Sequence, residues 1–129
     1  MLKKILFLLL FPSVLSAQTN KLGTWQMHLP YRLAKNVAQN DDYVYYATGL
    51  SILKVKKSDF STEKIDKLNT LTDISTGILR FNKQNKTLLV AYMNANIDLL
   101  RENGTVMNLP DIKNNSAIVG DKMIYDAFF

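Results

Sequence analysis

Few residues in this sequence combine the side-chain chemistry and the spacing that a catalytic or metal site requires. His28 could act as a base or a metal ligand, but no carboxylate, cysteine or second histidine lies near it in the sequence. Asp41 and Asp42 are paired carboxylates, yet adjacent residues point to opposite sides of a strand and commonly lie together in a turn. We therefore interpret His28 as an ordinary strand residue and the two aspartates as part of a turn.

No other motif in the chain indicates a reaction or a bound cofactor. The sequence lacks a glycine-rich phosphate loop, a His-Glu metal motif, calcium-loop spacing and a nucleophile elbow. Because there is no cysteine, disulfides, thiolate metal sites and a lipoprotein anchor are excluded. We predict no catalytic residue, no cofactor and no metal ligand, and we expect that the protein is not an enzyme.

The positive charge of the chain is dispersed. The formal net charge of +5 falls to +3 if Lys3 and Lys4 leave with a signal peptide. The one short basic cluster, Lys54-Val55-Lys56-Lys57, fits a solvated strand face, and contact with an anionic partner is the alternative. Because aromatic residues do not alternate with a basic stripe, nucleic-acid binding is not predicted.

The amino terminus has the features of a secretory signal peptide over residues 1–17. Two lysines give it a positive start, residues 5–10 are apolar, and Ala17 offers a small residue at the cut. We predict cleavage between Ala17 and Gln18, with cleavage after Ser16 as the alternative. The apolar run is about half of the ~20 residues that a spanning helix needs, so no membrane span is expected after removal of the signal. We predict an exported protein of the periplasm or the outer-membrane surface.

Residues 77–109 alternate short apolar runs with turn residues, which predicts four consecutive antiparallel strands, 77–81, 87–92, 97–101 and 105–109. Asn103-Gly104 suits a two-residue hairpin with positive φ at both residues. In the second of these strands Leu88, Val90 and Tyr92 alternate with Leu89 and Ala91, and we expect both faces to be packed. Four strands of this length make one blade of a β-propeller.

An earlier blade is predicted over residues 34–65, with strands 34–39, 43–48, 51–56 and 61–65. A loop over residues 67–74 follows, and we expect Leu68, Leu71 and Ile74 to pack it onto the core. A further strand is predicted over residues 24–29, in which Trp25 and Met27 share one face.

The two predicted blades form a repeat. Ala47 and Ile52 recur as Ala91 and Ile97, at offsets of 44 and 45 residues, which is the spacing of propeller blades. Residues 123–129 (MIYDAFF) are predicted to begin a third blade. We therefore predict an all-β fold, in which residues 18–129 form the amino-terminal part of a β-propeller. This incomplete propeller has about two four-stranded antiparallel blades plus the first strand of a third.

Five motifs, in this order, carry a resemblance to a known family. They are a signal peptide ending in Ala-Gln, GTWQMHLPY at residues 23–31, YVYYAT at 43–48, NKTLLVAYMNANIDLL at 85–100 and NLPDIK at 108–113. Together they resemble the amino-terminal propeller of the PorZ-like proteins of Bacteroidota, which are cell-surface parts of the type IX secretion system. The resemblance implies that the protein acts together with the surface sortase, the enzyme that attaches cargo to anionic lipopolysaccharide. It also implies that the protein itself has no hydrolase activity. It implies secretion-system surface proteins as partners, with anionic lipopolysaccharide as a further candidate.

The sequence departs from this family pattern in three ways. Family members are much longer, with two propellers and a carboxy-terminal secretion domain, so we expect this chain to be a fragment of such a protein. Ala95 stands where glycine is usual in the turn, which is unfavourable if positive φ is required. The turn at Thr48-Gly49-Leu50 is also shorter than usual.

The function that this sequence favours is a non-catalytic binding and scaffolding module of a sortase-associated complex at the cell surface. The alternative is the periplasmic sensor propeller of a two-component regulator, whose blades are similar. A propeller enzyme such as a glycan lyase or hydrolase would need acidic residues or histidines that converge at the channel mouth, and Asp73 is the candidate acid.

Overall fold

The computed structural model describes residues 28–129, and these form two four-stranded antiparallel sheets. In each sheet the strands follow their order in the sequence, so the connections within a sheet are hairpins. The first sheet contains β1 (Asn36–Gln39), β2 (Tyr43–Ala47), β3 (Ile52–Lys56) and β4 (Thr62–Ile65). The second contains β5 (Thr76–Asn82), β6 (Thr87–Tyr92), β7 (Ile97–Arg101) and β8 (Val106–Leu109). The predicted all-β fold with two four-stranded blades is confirmed.

Every predicted strand of the two blades agrees with an observed one to within two residues at each end. The polar residues 110–116 predict a loop after β8, but the structure forms a single helical turn there, α1 (Asp111–Asn114), so this local prediction is wrong. The backbone N–H of Asn114 donates to the carbonyl of Pro110 at 2.9 Å, and Pro110 suits the start of a helix because its φ is already restricted.

The sequence repeat corresponds to a repeated backbone pairing. Ala47 lies opposite Ile52 across β2 and β3, and Ala91 lies opposite Ile97 across β6 and β7. The connection inside the second pair is one residue longer than that inside the first. This extra residue explains why the repeat offset is 44 residues at the alanines and 45 at the isoleucines. The two turns differ in length, but the pairing of the strands is the same.

The core lies between the two blades. On β6, Leu88, Val90 and Tyr92 face the first blade and join a buried cluster that includes Tyr45 and Ile52. Leu89 and Ala91, on the opposite face of β6, are also buried. Both faces of this strand are therefore packed, as the sequence predicted, and this is typical of a central strand in a propeller blade.

The turns show which glycine predictions hold. Between β2 and β3, Gly49 and Leu50 form a two-residue turn closed by a 2.9 Å bond from the N–H of Thr48 to the carbonyl of Ser51, and Gly49 has φ +88°. The turn at Asn103-Gly104 differs from the prediction, because only Gly104 has positive φ, at +82°. The N–H of Gly104 donates to the carbonyl of Arg101 at 2.9 Å, so the hairpin has a three-residue loop ending in a left-handed glycine.

The long connection from β4 to β5 packs on the core through one residue instead of three. Leu71 is buried, whereas Leu68 and Ile74 are exposed. Three backbone N–H groups, of Asn69, Thr70 and Leu71, converge on the carbonyl of Asp66, and this tight turn directs Leu71 inward. The prediction that Leu68 and Ile74 pack on the core is therefore wrong.

The two ends of the chain leave parts of the sequence prediction open. Residues 123–129 form no strand and pair with neither sheet in the described structure; the side chain of Arg80 instead binds Asp126 at 2.6 Å. Both sheets are already four strands wide, so the beginning of a third blade stays a prediction. The signal peptide, its cleavage between Ala17 and Gln18, and most of the predicted strand 24–29 lie outside the described residues. His28 and Leu29 are described and are not in a strand.

Candidate functional site

The antiparallel strands divide the loops of both blades between two ends of the molecule. One end, called here the charged end, consists of residues 40–42, 57–61, 83–86 and 102–105. The opposite end, called the apolar end, consists of residues 32–35, 48–51, 66–75, 93–96 and 110–114. Loops on a rigid sheet scaffold are where binding residues are most often found, so the composition of each end is informative.

Among the described loops of the two blades, exposed large apolar side chains are concentrated at the apolar end. Its loops expose Leu33 by 76%, Leu50 by 38%, Leu68 by 56%, Ile74 by 46%, Met93 by 51% and Ile112 by 40%. Among the loops of the charged end, Phe60 is the only exposed large apolar residue in the described structure. Apolar side chains from separate loops at one end of a small domain are a typical mark of an interaction site.

A buried polar network lies directly beneath this surface, with Asp98 of β7 at its centre. Asp98 is fully buried and accepts bonds from the N–H of Thr72 at 2.9 Å and from its hydroxyl at 2.6 Å. The hydroxyl of Tyr92 donates to it at 2.5 Å and the amide of Asn108 at 2.8 Å. Four donors therefore compensate the desolvation of this carboxylate. Burial, followed by the bond to Asp98, raises the pKa of Tyr92 well above its ordinary value, so its hydroxyl stays a donor.

Asp73 extends the network to the last loop of the apolar end. Its carboxylate accepts bonds from Lys113 at 2.7 Å, from the amide of Asn94 at 2.8 Å and from the N–H of Ile74 at 2.9 Å. Burial alone would raise the pKa of Asp73, but these three bonds and the charge of Lys113 outweigh it and hold that pKa well below its ordinary value. Asp73 is therefore ionised at neutral pH, and it connects three separate segments of the chain.

The network fixes the loops that carry the exposed apolar residues. Asp73 directly precedes Ile74, and Lys113 directly follows Ile112. Asn94 directly follows Met93. The N–H of Met93 donates to the carbonyl of Ser75 at 3.1 Å, which joins the same two loops through the backbone. The turn that contains Met93 also holds Ala95 at φ +62°, where glycine is usual. The apolar end is thus a set of loops with defined positions.

A cleft of about 300 Å³ opens between the two blades, closer to the charged end. Tyr43, Tyr45 and Phe81 form its aromatic wall, with the rings of Tyr45 and Phe81 stacked at 6.1 Å. The charged side chains that line the cleft are largely paired. Lys54 binds Glu63 at 2.8 Å, and Lys86 binds Glu102 at 3.1 Å between two turns of the second blade. Burial, followed by the neighbouring Tyr43 and then the charges of Glu102 and Glu63, raises the pKa of Tyr45 to about 12. Tyr45 is therefore protonated at neutral pH and provides no base.

The residues considered for chemistry do not come together into a reactive site. His28 is exposed, and Asp41 and Asp42 lie in the predicted turn at the charged end, where Asp41 contacts Lys83 at 3.3 Å. Asp73 is bound to Lys113 and not to a second acid that could share a proton with it. In residues 28–129, no group of three or more histidine, cysteine, aspartate or glutamate side chains could hold a metal ion. No helix in this part of the chain is long and apolar enough to cross a membrane.

From the sequence, Asp73 is predicted only as a candidate acid for a propeller enzyme, and neither the network nor its other members are predicted. Asn94 and Asn96 were recognised only as turn residues, and Asp98 and Asn108 were placed on strands without a polar role. The contacts that define them are non-local, as Thr72 and Asp98 are 26 residues apart. One feature of the sequence could have indicated the network, because Asp98 is a charged residue at an inward-facing position. It lies directly opposite Val90 across β6 and β7.

Comparisons with known proteins place this fold in a family. A family model described as the PorZ amino-terminal β-propeller domain of the type IX secretion system matches residues 34–129. A solved structure of PorZ from Porphyromonas gingivalis, described as an essential bacterial surface component of that system, superposes with a TM-score of 0.69 at 25% identity. The match covers 74% of this chain and 13% of the PorZ chain, so this chain spans a small part of its relative's length. No curated protein matches. Because the family model covers both blades, the chain belongs to the family of PorZ amino-terminal β-propeller domains, which are components of the type IX secretion system.

Proposed function

We propose that this chain is a non-catalytic binding and scaffolding module at the cell surface, within the sortase-associated complex of the type IX secretion system. The observation that carries the proposal is the family match over both blades. The bonding of the acidic groups supports it, because Asp73 and Asp98 are held by donors in a network that fixes loops. A carboxylate surrounded by donors in this way serves positioning better than proton transfer.

The proposed partners are other surface proteins of the secretion system, with anionic lipopolysaccharide as a second class. The proposed location, after cleavage between Ala17 and Gln18, is the periplasm or the outer-membrane surface. A rigid propeller unit with two loop-bearing ends suits this role, since it can contact partners without a conformational change of its own sheets.

The proposal is tested by deleting the segment that encodes residues 34–129 in the bacterium that carries the gene. We expect cargo proteins of the type IX pathway to accumulate inside the cell and to be lost from the surface, with recovery when the intact gene is returned. Normal cargo export in the deletion strain would overturn the proposal. Normal export together with altered transcription of envelope genes would instead support the sensor alternative.

A further inference from the structure

The two ends of the molecule differ in a way that the fold itself does not require. Hairpin turns are satisfied by small and polar residues, and the charged end is built in this way except for the exposed Phe60. At the apolar end, each of the five loop segments exposes at least one large apolar side chain. Exposed apolar residues weaken solubility and do not stabilise a turn, so their presence in every loop of one end points to a partner.

The exposed residues at this end are neighbours and are held in place. Ile74 lies beside Asp73, which binds Lys113 at 2.7 Å, and Lys113 follows Ile112. Met93 is joined to the Ile74 loop by the backbone bond to Ser75 at 3.1 Å. On the other side, the hydroxyl of Thr76 donates to the carbonyl of Ser51 at 3.1 Å, next to Leu50. Because these loops are already ordered, little conformational entropy is lost when a partner binds.

The charges near these residues indicate what kind of partner fits. The described loops of the apolar end carry basic and acidic residues in nearly equal number, namely Arg32, Lys35, Lys67 and Lys113 with Asp66, Asp73 and Asp111, and Asp73 pairs with Lys113. A membrane or an anionic polysaccharide is held by clusters of lysine and arginine, whereas the basic residues of these described loops are nearly balanced by acidic ones. An apolar centre with a rim of mixed charge is instead the usual composition of a protein–protein interface.

We propose that the apolar end is the surface through which this module binds another folded protein, and that Ile74, Met93 and Ile112 form the centre of the contact. The partner presents an uncharged apolar patch. This inference rests on the proposed function, because it assigns the contact surface of the scaffolding module and the chemistry of the protein that it meets.

The test is site-specific photocrosslinking in intact cells of the bacterium that carries the gene. Benzoylphenylalanine replaces Met93 at the apolar end or, as a matched control, the exposed Gln84 at the charged end. We expect irradiation to give one discrete protein adduct from position 93 and none from position 84. Ile74→Asp should reduce the adduct at least tenfold, and an unchanged melting temperature shows that the domain stays folded.

The remaining outcomes separate the inference from the proposed function. An adduct of twice the chain's mass would identify a second copy, and an adduct to lipopolysaccharide or lipid would identify the envelope surface; either overturns the inference. A protein adduct at position 84 but not at position 93 would leave the scaffolding function standing and refute the assigned surface. Absence of adducts at both positions, with normal cargo export in the deletion strain, would refute both.

Discussion

Replacement of Ala95 by glycine should leave the stability of the domain almost unchanged, although Ala95 is fully buried. Ala95 and Gly104 occupy the same position in the same kind of turn. Their N–H groups donate to the carbonyls of Tyr92 and Arg101 at 3.1 and 2.9 Å. Their φ angles are +62° and +82°, so Ala95 has a backbone conformation that favours glycine.

The expected magnitude follows from three opposing contributions. A left-handed conformation costs a non-glycine residue roughly 1–2 kcal/mol, and the glycine variant relieves this. Glycine loses about 0.5–1 kcal/mol more conformational entropy on folding. The lost methyl group removes about 0.8 kcal/mol of burial. These contributions nearly cancel, so the change in the free energy of unfolding for Ala95→Gly should be within about 0.5 kcal/mol of zero.

Ala91→Gly is the matched control. Ala91 is equally buried but lies in β6 without positive φ, so the variant loses the methyl group and gains no relief. We expect it to destabilise the domain by about 1.5 kcal/mol. Gly104→Ala should cost about 0.5–1 kcal/mol through the backbone alone, because no atom lies within 4 Å of the added Cβ.

The assay is urea denaturation followed by circular dichroism, with each variant carried in the whole encoded protein. A difference of about 1–2 kcal/mol between the Ala95→Gly and Ala91→Gly variants is the predicted result. Equal destabilisation by the two variants would refute the assignment of strain to this turn. In that case the methyl group of Ala95, and not its backbone conformation, would determine the energetics of the position.

Four other variants test the packing and the polar network. Folding lowers the pKa of Asp73 from its ordinary value of 3.8, so its contribution to stability is complete above that value and is lost as the pH falls through the folded pKa. Lys113→Met should therefore cost about 1–2 kcal/mol at neutral pH and move acid unfolding to a higher pH; an unchanged acid transition would contradict the role of this ion pair. Val90→Asp should lower the free energy of unfolding by roughly 4 kcal/mol or more, because it buries an unpaired charge. Lys56→Asp should lower it by less than about 1 kcal/mol. Similar losses for the two variants in urea denaturation would contradict the blade assignment. Asp98→Asn should cost about 3 kcal/mol because an amide group turns a donor toward other donors, and a neutral effect on the melting temperature would show that the buried carboxylate is not needed.

The strands were predictable because their signal is local. The six residues of β6 alternate between two packed faces, and apolar residues on both sides indicate a central strand without knowledge of its neighbours. Gly49 was a reliable turn signal for the same reason, since its own φ determines what can replace it. Ala95 could also be recognised as unusual, because a glycine is expected at that point in the turn.

The features that could not be predicted depend on contacts between distant residues. The turn at Asn103 follows from the pairing of β7 with β8, which places only Gly104 in the left-handed region. Leu68 and Ile74 look like core residues in the sequence, but the loop turns them outward. The network around Asp98 joins segments that lie far apart in the chain. As a result, the elements of the fold were foreseen, and the apolar end was not.

The measurement that tests the central claim most directly is the surface display of secreted cargo in cells that carry matched double variants. Ile74→Asp with Met93→Asp places two charges at the apolar end, and Gln84→Asp with Asn85→Asp places two charges at exposed positions of the charged end. With equal amounts of each variant in the envelope, we expect the first pair to abolish most cargo display and the second pair to leave it unchanged. Equal display in both strains, or loss only in the second, would contradict the account.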